Sequence, residues 1–240
     1  MGRGRTPMTP NHWPARTFMD RVEPDTAARL LASAPTRRVS EGEVLIGQGQ
    51  DREQVLLLCP AGEGEAACAK VTSVLRNGTE VMLGIRVHGD VVGEMGMFRS
   101  SGASATVTAC TPMSVRVYTH TAFREFLTRH PDAWEAVGAV MGDRLASSDL
   151  HRAEFVGYEV DARLARVLVE LAARHGAAVP EGVELGVRLS QTDLGKLIGA
   201  RTDAVGNAVR RFRQEGLLLS RYRRVVVVDM DTLRAVYENA

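Results

Sequence analysis

Between Arg188 and Arg224 the chain carries nine arginines and lysines (188, 196, 201, 210, 211, 213, 221, 223 and 224) against three acids, Asp193, Asp203 and Glu215. The 240-residue chain as a whole has a formal net charge of +1, so this excess of cations is local. Such a concentration is the footprint of phosphate binding. Within it, Thr202, Asp203, Asn207, Arg210 and Arg211 fall on the outward side of one helical stretch. Those side chains can do more than hold a backbone: an asparagine can pair with adenine N6 and N7, and a carboxylate can accept from cytosine N4. Arg201 at the head of the stretch, and Arg221, Arg223 and Arg224 beyond it, are suited to phosphates.

The elements that must position these groups are legible around them. Ser190 followed by Asp193 has capping-box form, in which each side chain satisfies an orphan backbone donor of the other. Leu194, Leu197 and Ile198 then bury one face of a two-turn helix, and Gly199 ends it. Val205, Ala208, Val209 and Phe212 repeat at i, i+3, i+4, i+7, which predicts a second helix over about 202–214 with the polar set turned outward. The pair is a helix-turn-helix, whose first helix holds the second proud enough to enter a DNA major groove. Leu217–Leu219 and Val225–Val228, around 220–224, predict a hairpin wing that carries Arg221, Arg223 and Arg224 to phosphates.

Composition bounds the alternatives. No apolar run approaches the ~20 residues that span a bilayer, and the first 20 residues lack a signal-peptide core, which predicts a cytoplasmic protein. The three cysteines, Cys59, Cys68 and Cys110, are scattered in sequence and odd in number, suggesting neither a disulfide framework nor a metal cluster. Nothing groups His88, His120, His130 and His151 as metal or haem ligands. No nucleophile, base and metal set converges, so an enzyme is not expected.

Residues 1–24, rich at their start in proline, glycine and arginine, read as a flexible N-terminal tail, and 25–34 as a short helix with Leu30 and Leu31 inward. From Arg38 to Tyr118 short strands alternate with glycine turns. Val44 and Ile46 share a face, Val55–Leu58 is a buried strand, and Val71–Leu75 meets Val81–Ile85 across Asn77-Gly78, a pair suited to a type I′ turn. This predicts a small antiparallel roll. Pro131 begins a long helix, in which Trp134, Gly138, Met141, Leu145, Ser148, Arg152 and Phe155 follow the 4-3 spacing of a coiled-coil seam. After a hinge at 157–160, Asp161–His175 is amphipathic, Val183, Leu185, Val187 and Leu189 alternate as a strand, and Asp231–Glu238 closes the chain as a helix.

Ser40-Glu41-Gly42-Glu43-Val44-Leu45-Ile46, Gly49, Asn77-Gly78, Gly89-Asp90 and Gly93-Glu94-Met95-Gly96, in that order and followed by the helix-turn-helix, resemble the cyclic-AMP receptor and fumarate-nitrate regulator (CRP/FNR) family of bacterial transcription factors over about residues 25–238. The resemblance implies an α+β chain with an N-terminal cyclic-nucleotide-binding-like β-roll (25–130), a long dimerisation helix (131–157) and a C-terminal winged helix-turn-helix (158–240). It further implies a homodimer on double-stranded DNA with a near-palindromic site, RNA polymerase as a partner, and a pocket for a cyclic nucleotide or other small effector. Gly93, Glu94 and Met95 match the segment that meets the cyclic phosphate and ribose, Ser104 matches the start of the next strand, and Ser147, Ser148 and Asp149 match the effector-facing middle of the long helix.

The chain departs from the family at two places. Nucleotide-binding members carry an arginine for the phosphate immediately before the Ser-Ala of that strand, where this chain has Ala103; Arg99 is the nearest substitute. Residues 60–68 are also longer than the usual turn. Ordinary cyclic-AMP control is therefore not expected, leaving an empty pocket or one for another ligand. The rival reading is a small-molecule or cyclic-nucleotide-binding module that acts through protein contacts rather than DNA.

Overall fold

The computed structural model describes residues 13–51, 53–62, 65–98, 102–221 and 224–240. Two helices, α1 (Phe18–Arg21) and α2 (Pro24–Ala32), precede β1 (Thr36–Val39), β2 (Val44–Ile46), β3 (Gln54–Pro60), β4 (Cys68–Val74), β5 (Glu80–Val87), β6 (Val91–Val92), β7 (Thr106–Ala109) and β8 (Met113–Thr119). Then come α3 (His120–Arg129), α4 (Pro131–Gly157), α5 (Val160–His175), β9 (Ala177–Val179) and β10 (Gly182–Glu184). The chain ends with α6 (Gln191–Ile198), α7 (Thr202–Gln214), β11 (Leu218–Arg221), β12 (Arg224–Val227) and α8 (Met230–Glu238).

Strands β1 to β8 form two antiparallel sheets, ordered β1-β8-β3-β6 and β2-β7-β4-β5. The apolar run in β3 has no polar alternation because both of its faces are covered. Leu56 and Leu58 lie among Ile46, Val107 and Val115 in the core between the sheets. Val55, Leu57 and Cys59 point the other way, into a second core with Phe18, Phe123, Leu127 and Ala136. A third core joins α5 to α8 and the small sheet β11-β12-β10-β9 with Cys68, Met82 and Val87 on the outer face of β4 and β5. The helix-turn-helix is thereby seated on the roll.

The structure corrects four local expectations. The part of the N-terminal segment from Trp13 onward is not a flexible tail: Thr17 caps α1, Phe18 and Met19 are 0% and 2% exposed, and Arg16 and Arg21 reach Asp143 of α4 at 2.9 and 2.6 Å. Burial of these two large apolar side chains, at about 1.5–3 kcal/mol each, acts together with the Thr17 cap and the Asp143 pairs to anchor the segment against its ordering cost. Residues 1–12 lie outside the described residues.

The Asn77-Gly78 turn is not type I′, because only Gly78 has positive φ (82°). The Gly78 amide donates to Leu75 O, the Leu75 amide to Thr79 O, and the Thr79 amide to the Asn77 side chain, the pattern of a longer loop with glycine in the left-handed position. Val44 is 52% exposed, since a register shift between Val44 and Ile46 turns it out of the face that Ile46 occupies. Strand β10 stops at Glu184; Leu185, Val187 and Leu189 are buried as an irregular segment, and β10 instead pairs with β9 and β12.

The capping box forms as expected. The Asp193 amide donates to Ser190 Oγ at 3.1 Å and the Ser190 amide to Asp193 Oδ2 at 3.0 Å. Burial pushes the Asp193 carboxyl up, but the bonds from Ser190 and from Lys70 outweigh it and hold the group below its usual value. A carboxyl lowered in the folded state stabilises above its unfolded pKa and loses that contribution as pH falls through the folded one. Ser190→Ala is expected to cost about 1 kcal/mol in urea unfolding at neutral pH. Asp193→Asn is expected to flatten the acid limb of stability below about pH 4.

Candidate nucleic-acid interface and effector pocket

Helix α6 ends where Gly199 takes up left-handed geometry (φ 60°, ψ 42°), which turns the chain sharply into α7. Val205, Ala208, Val209 and Phe212 of α7 are buried. Arg201, Thr202, Asp203, Asn207, Arg210 and Arg211 are all exposed on its other side. The expected division of that helix is therefore what the structure shows.

These exposed groups are partly engaged with one another. Arg210 donates to Asn207 Oδ1, and Arg201 Nε lies 3.5 Å from Asp203 Oδ1. Arg211 is bound through two nitrogens to the Asp161 carboxylate, which raises its pKa, and Arg224 is held in the same manner by Glu184. Arg201, Thr202, Asp203, Asn207 and Arg210 thus form one exposed strip, while Arg211 and Arg224 meet a phosphate only in competition with an internal carboxylate. Strands β11 and β12 pair through Arg221 and Arg224, a tighter wing than the sequence suggested. Arg223 and the Arg221 side chain lie outside the described residues.

On the roll, Gly93 adopts φ 87°, and a Cβ there would lie 2.3 Å from Gln54 O, so only glycine fits this turn. It leads into a single 3-10 turn over Glu94–Met97 that buries Glu94 and leaves Met95 40% exposed. The Glu94 carboxylate is bound by Arg144 Nη1, whose other terminal nitrogen donates to Val91 O at 3.0 Å. Sequence reasoning missed Arg144. Its signal was spacing: Arg144 lies one helical turn before Ser148 and so shares its face.

Arg144 also lines a pocket of about 90 Å³ with Arg86, Ser147, Ser148, Glu170 and Arg174, between β5, α4 and α5. Burial and the nearby charges of Arg144 and Arg174 bring the Arg86 pKa down to about 10, against the pull of Asp90 and Glu94. Glu170 accepts from Arg166 at 3.3 Å and forms an ion pair with Arg174 at 3.1 Å. Of the expected effector residues, Ser148 lines the pocket and Glu94 is tied to it through Arg144. Met95, Ser104 and Asp149 do not line it: Ser104 is exposed, and Asp149 faces Arg152 at 3.6 Å on the open side of α4. Ala103 uses both backbone groups on Gly49 and Gln50 and supplies no cation; Arg99 lies outside the described residues.

Among the described residues, two ion pairs cross from the roll to the helix-turn-helix. Lys70 of β4 lies 3.2 Å from Asp193, and Lys196 of α6 binds Glu80 of β5. These are the two lysines of the chain. Glu80 is held below its usual pKa by Lys196, so acid weakens both links. Among the described residues there is no group of three or more side chains suited to a metal ion, and no helix is long and apolar enough to cross a membrane.

Comparison with known proteins agrees with this geometry. Residues 36–130 match the model of the cyclic nucleotide-binding domain, and residues 162–236 that of the Crp-like helix-turn-helix domain. The chain is 26% identical over 206 residues to the cAMP-activated global transcriptional regulator Vfr of Pseudomonas aeruginosa, covering 83% of this chain and 92% of that one. It is 22% identical to the CRP-like cAMP-activated global transcriptional regulator of Mycobacterium tuberculosis, over 88% and 92% of the two chains. The structure of FixK2 from Bradyrhizobium japonicum superposes with a TM-score of 0.71 at 18% identity, covering 85% of this chain and 96% of that one.

Proposed function

Because the chain belongs to the CRP/FNR family of DNA-binding transcription regulators, we propose that it acts as a homodimer that lays α7 of each subunit in successive major grooves of a near-palindromic site. The observation that carries this reading is the exposed strip Arg201, Thr202, Asp203, Asn207 and Arg210 on a helix whose opposite face is buried. Two-fold symmetry places the two helices one helical turn of DNA apart, about 34 Å. The stripe on α4 supports pairing: Gly138 is exposed and Leu145 stands 63% exposed. The Phe155 side chain, the last of that seam, lies outside the described residues. In this reading the domains divide at about 130 and 157, the protein works in the cytoplasm, and RNA polymerase is the partner through which it acts.

The pocket at Arg86, Arg144 and Arg174 points to an anionic effector other than ordinary cyclic AMP, which would meet Arg144 and Arg174 in competition with Glu94 and Glu170. Its arginines face the side of the roll that holds Glu94, while Ala103 leaves the family's phosphate position without a cation. At about 90 Å³ it is smaller than the ~300–1,000 Å³ of typical ligand sites. Movement of α5 away from α4 and β5 would enlarge the site for a larger effector and couple its binding to the DNA-binding part. A near-complete switch requires about 5.5 kcal/mol of preference for the DNA-competent state.

In-vitro selection from random duplexes, with and without cyclic nucleotides and cyclic dinucleotides, tests the whole reading. The expected result is a near-palindrome with half-sites about ten base pairs apart and an affinity that falls steeply with salt. A chain that stays monomeric and ignores every duplex at low salt would instead be a ligand-binding module acting through protein contacts.

A further inference from the structure

Cys68 and Cys110 are far apart in sequence, but the pairing of β4 with β7 brings them together. Ala69 stands opposite Ala109, and one step further the Cys110 amide donates to Cys68 O at 2.8 Å. Cys68, the first residue of β4, and Cys110, the residue that follows β7, are thus opposed at the end of the ladder, and both pack against one core. The Cys68 amide donates to Thr111 Oγ1 at 3.1 Å, so the two cysteines share one backbone bond; opposed antiparallel residues have Cα atoms about 4.5–5.5 Å apart, inside the ~4.4–6.8 Å range that a disulfide requires.

The place is as informative as the spacing. Cys68 is fully buried in the core that α5, α6 and α7 share with the roll, and Cys110 packs, partly buried, against the same core. Lys70, two residues along β4, makes one of the two ion pairs that dock α6. Cys59 is also buried, but in the separate core with Phe18 and Phe123.

We propose that Cys68 and Cys110 are a redox-active dithiol that closes to a reversible disulfide under peroxide and loosens the seating of α6 on the roll. The sulfurs favour this chemistry. Each is the largest influence on the other's acidity: Cys68 is lowered by hydrogen bonding with Cys110, and by the Arg188 amide and charge, against the cost of burial; Cys110 is raised. Lys70 and Asp193 also face Cys110.

In the first step the thiolate attacks the O–O bond of hydrogen peroxide. One oxygen stays on sulfur as the sulfenic acid, and the other leaves as water after taking a proton. The second sulfur then displaces the sulfenic hydroxyl, which leaves with the second thiol's proton as water, so two electrons pass from the pair to the peroxide. Drawing the sulfurs to about 2.05 Å moves the Cys68 sulfur away from the Arg188 amide, two residues before the Ser190 cap.

The full chain is treated with hydrogen peroxide, and then with dithiothreitol. Free thiols are counted, peptides are mapped without reduction, and amide exchange is followed over 188–198. The expected result is a linked Cys68–Cys110 peptide, loss of two of the three titratable thiols, and exchange over 188–198 faster by about five-fold or more, all reversed by dithiothreitol. Cys110→Ser abolishes the link and the exchange response, and Cys59→Ser leaves both intact. Because Cys68→Ser alters a fully buried site, Cys110→Ser is the deciding variant. Three free thiols after peroxide, or a linked peptide with exchange unchanged, overturns the proposal. No DNA enters the measurement, so its failure is separable from failure of the regulator reading.

Discussion

Replacing Arg144 with methionine is expected to destabilise the folded chain by about 3 kcal/mol at neutral pH, read as a lower urea midpoint with an unchanged slope at fixed protein concentration. The substitution keeps most of the apolar stem and removes the charge. Glu94, with its side chain 4% exposed, is left with its carboxylate buried and its principal cation gone. Removing one member of a buried pair typically costs about 3–5 kcal/mol, and the low end applies because the Arg144 side chain is still 23% exposed. Adding Glu94→Gln is expected to restore part of the loss, since the group left behind is then neutral. That non-additivity in the double-mutant cycle is the signature of direct coupling. A loss below about 1 kcal/mol would show that water, rather than Arg144, balances the charge of Glu94.

The spacing of Arg144 from Ser148 places it on the effector-facing side of α4, but its partner Glu94 comes from another element. The helix-turn-helix was legible because its determinants are local: Ser190 and Asp193 cap one helix, Gly199 turns the chain, and the apolar face of α7 repeats within four turns. The pocket and the cysteine pair are products of register and docking. Cys68 meets Cys110 only because β4 runs beside β7, and Arg86 meets Arg174 only because α5 packs on β5. No spacing in the chain encodes either meeting. The N-terminal segment differs in kind: the proline and glycine that suit a tail are concentrated in residues 1–14, and the Phe18-Met19 pair beyond them marks a buried turn. The Asn-Gly signal located its hairpin correctly but not its turn type, because one further residue in the loop moves the left-handed position to Gly78 alone.

On α7 the decisive expectation concerns Asn207. Its replacement by alanine is expected to erase preference at one base step in each half-site, a loss of about 1–3 kcal/mol in discrimination or roughly 5- to 150-fold, while binding to unrelated duplexes changes little. Asn207 is exposed, and its side-chain oxygen is occupied by Arg210, so reading adenine through N6 and N7 requires Arg210 to turn to a phosphate or another base. Arg210→Ala should therefore act differently, weakening binding to every sequence and flattening the salt slope by about one unit. Arg211→Ala should flatten it less, because Asp161 already holds that guanidinium and the phosphate must displace it. Selection on the Asn207→Ala protein decides the matter: an unchanged consensus would mean that α7 lies in the groove at another angle, with Asp203 and Thr202 rather than Asn207 against the base edges.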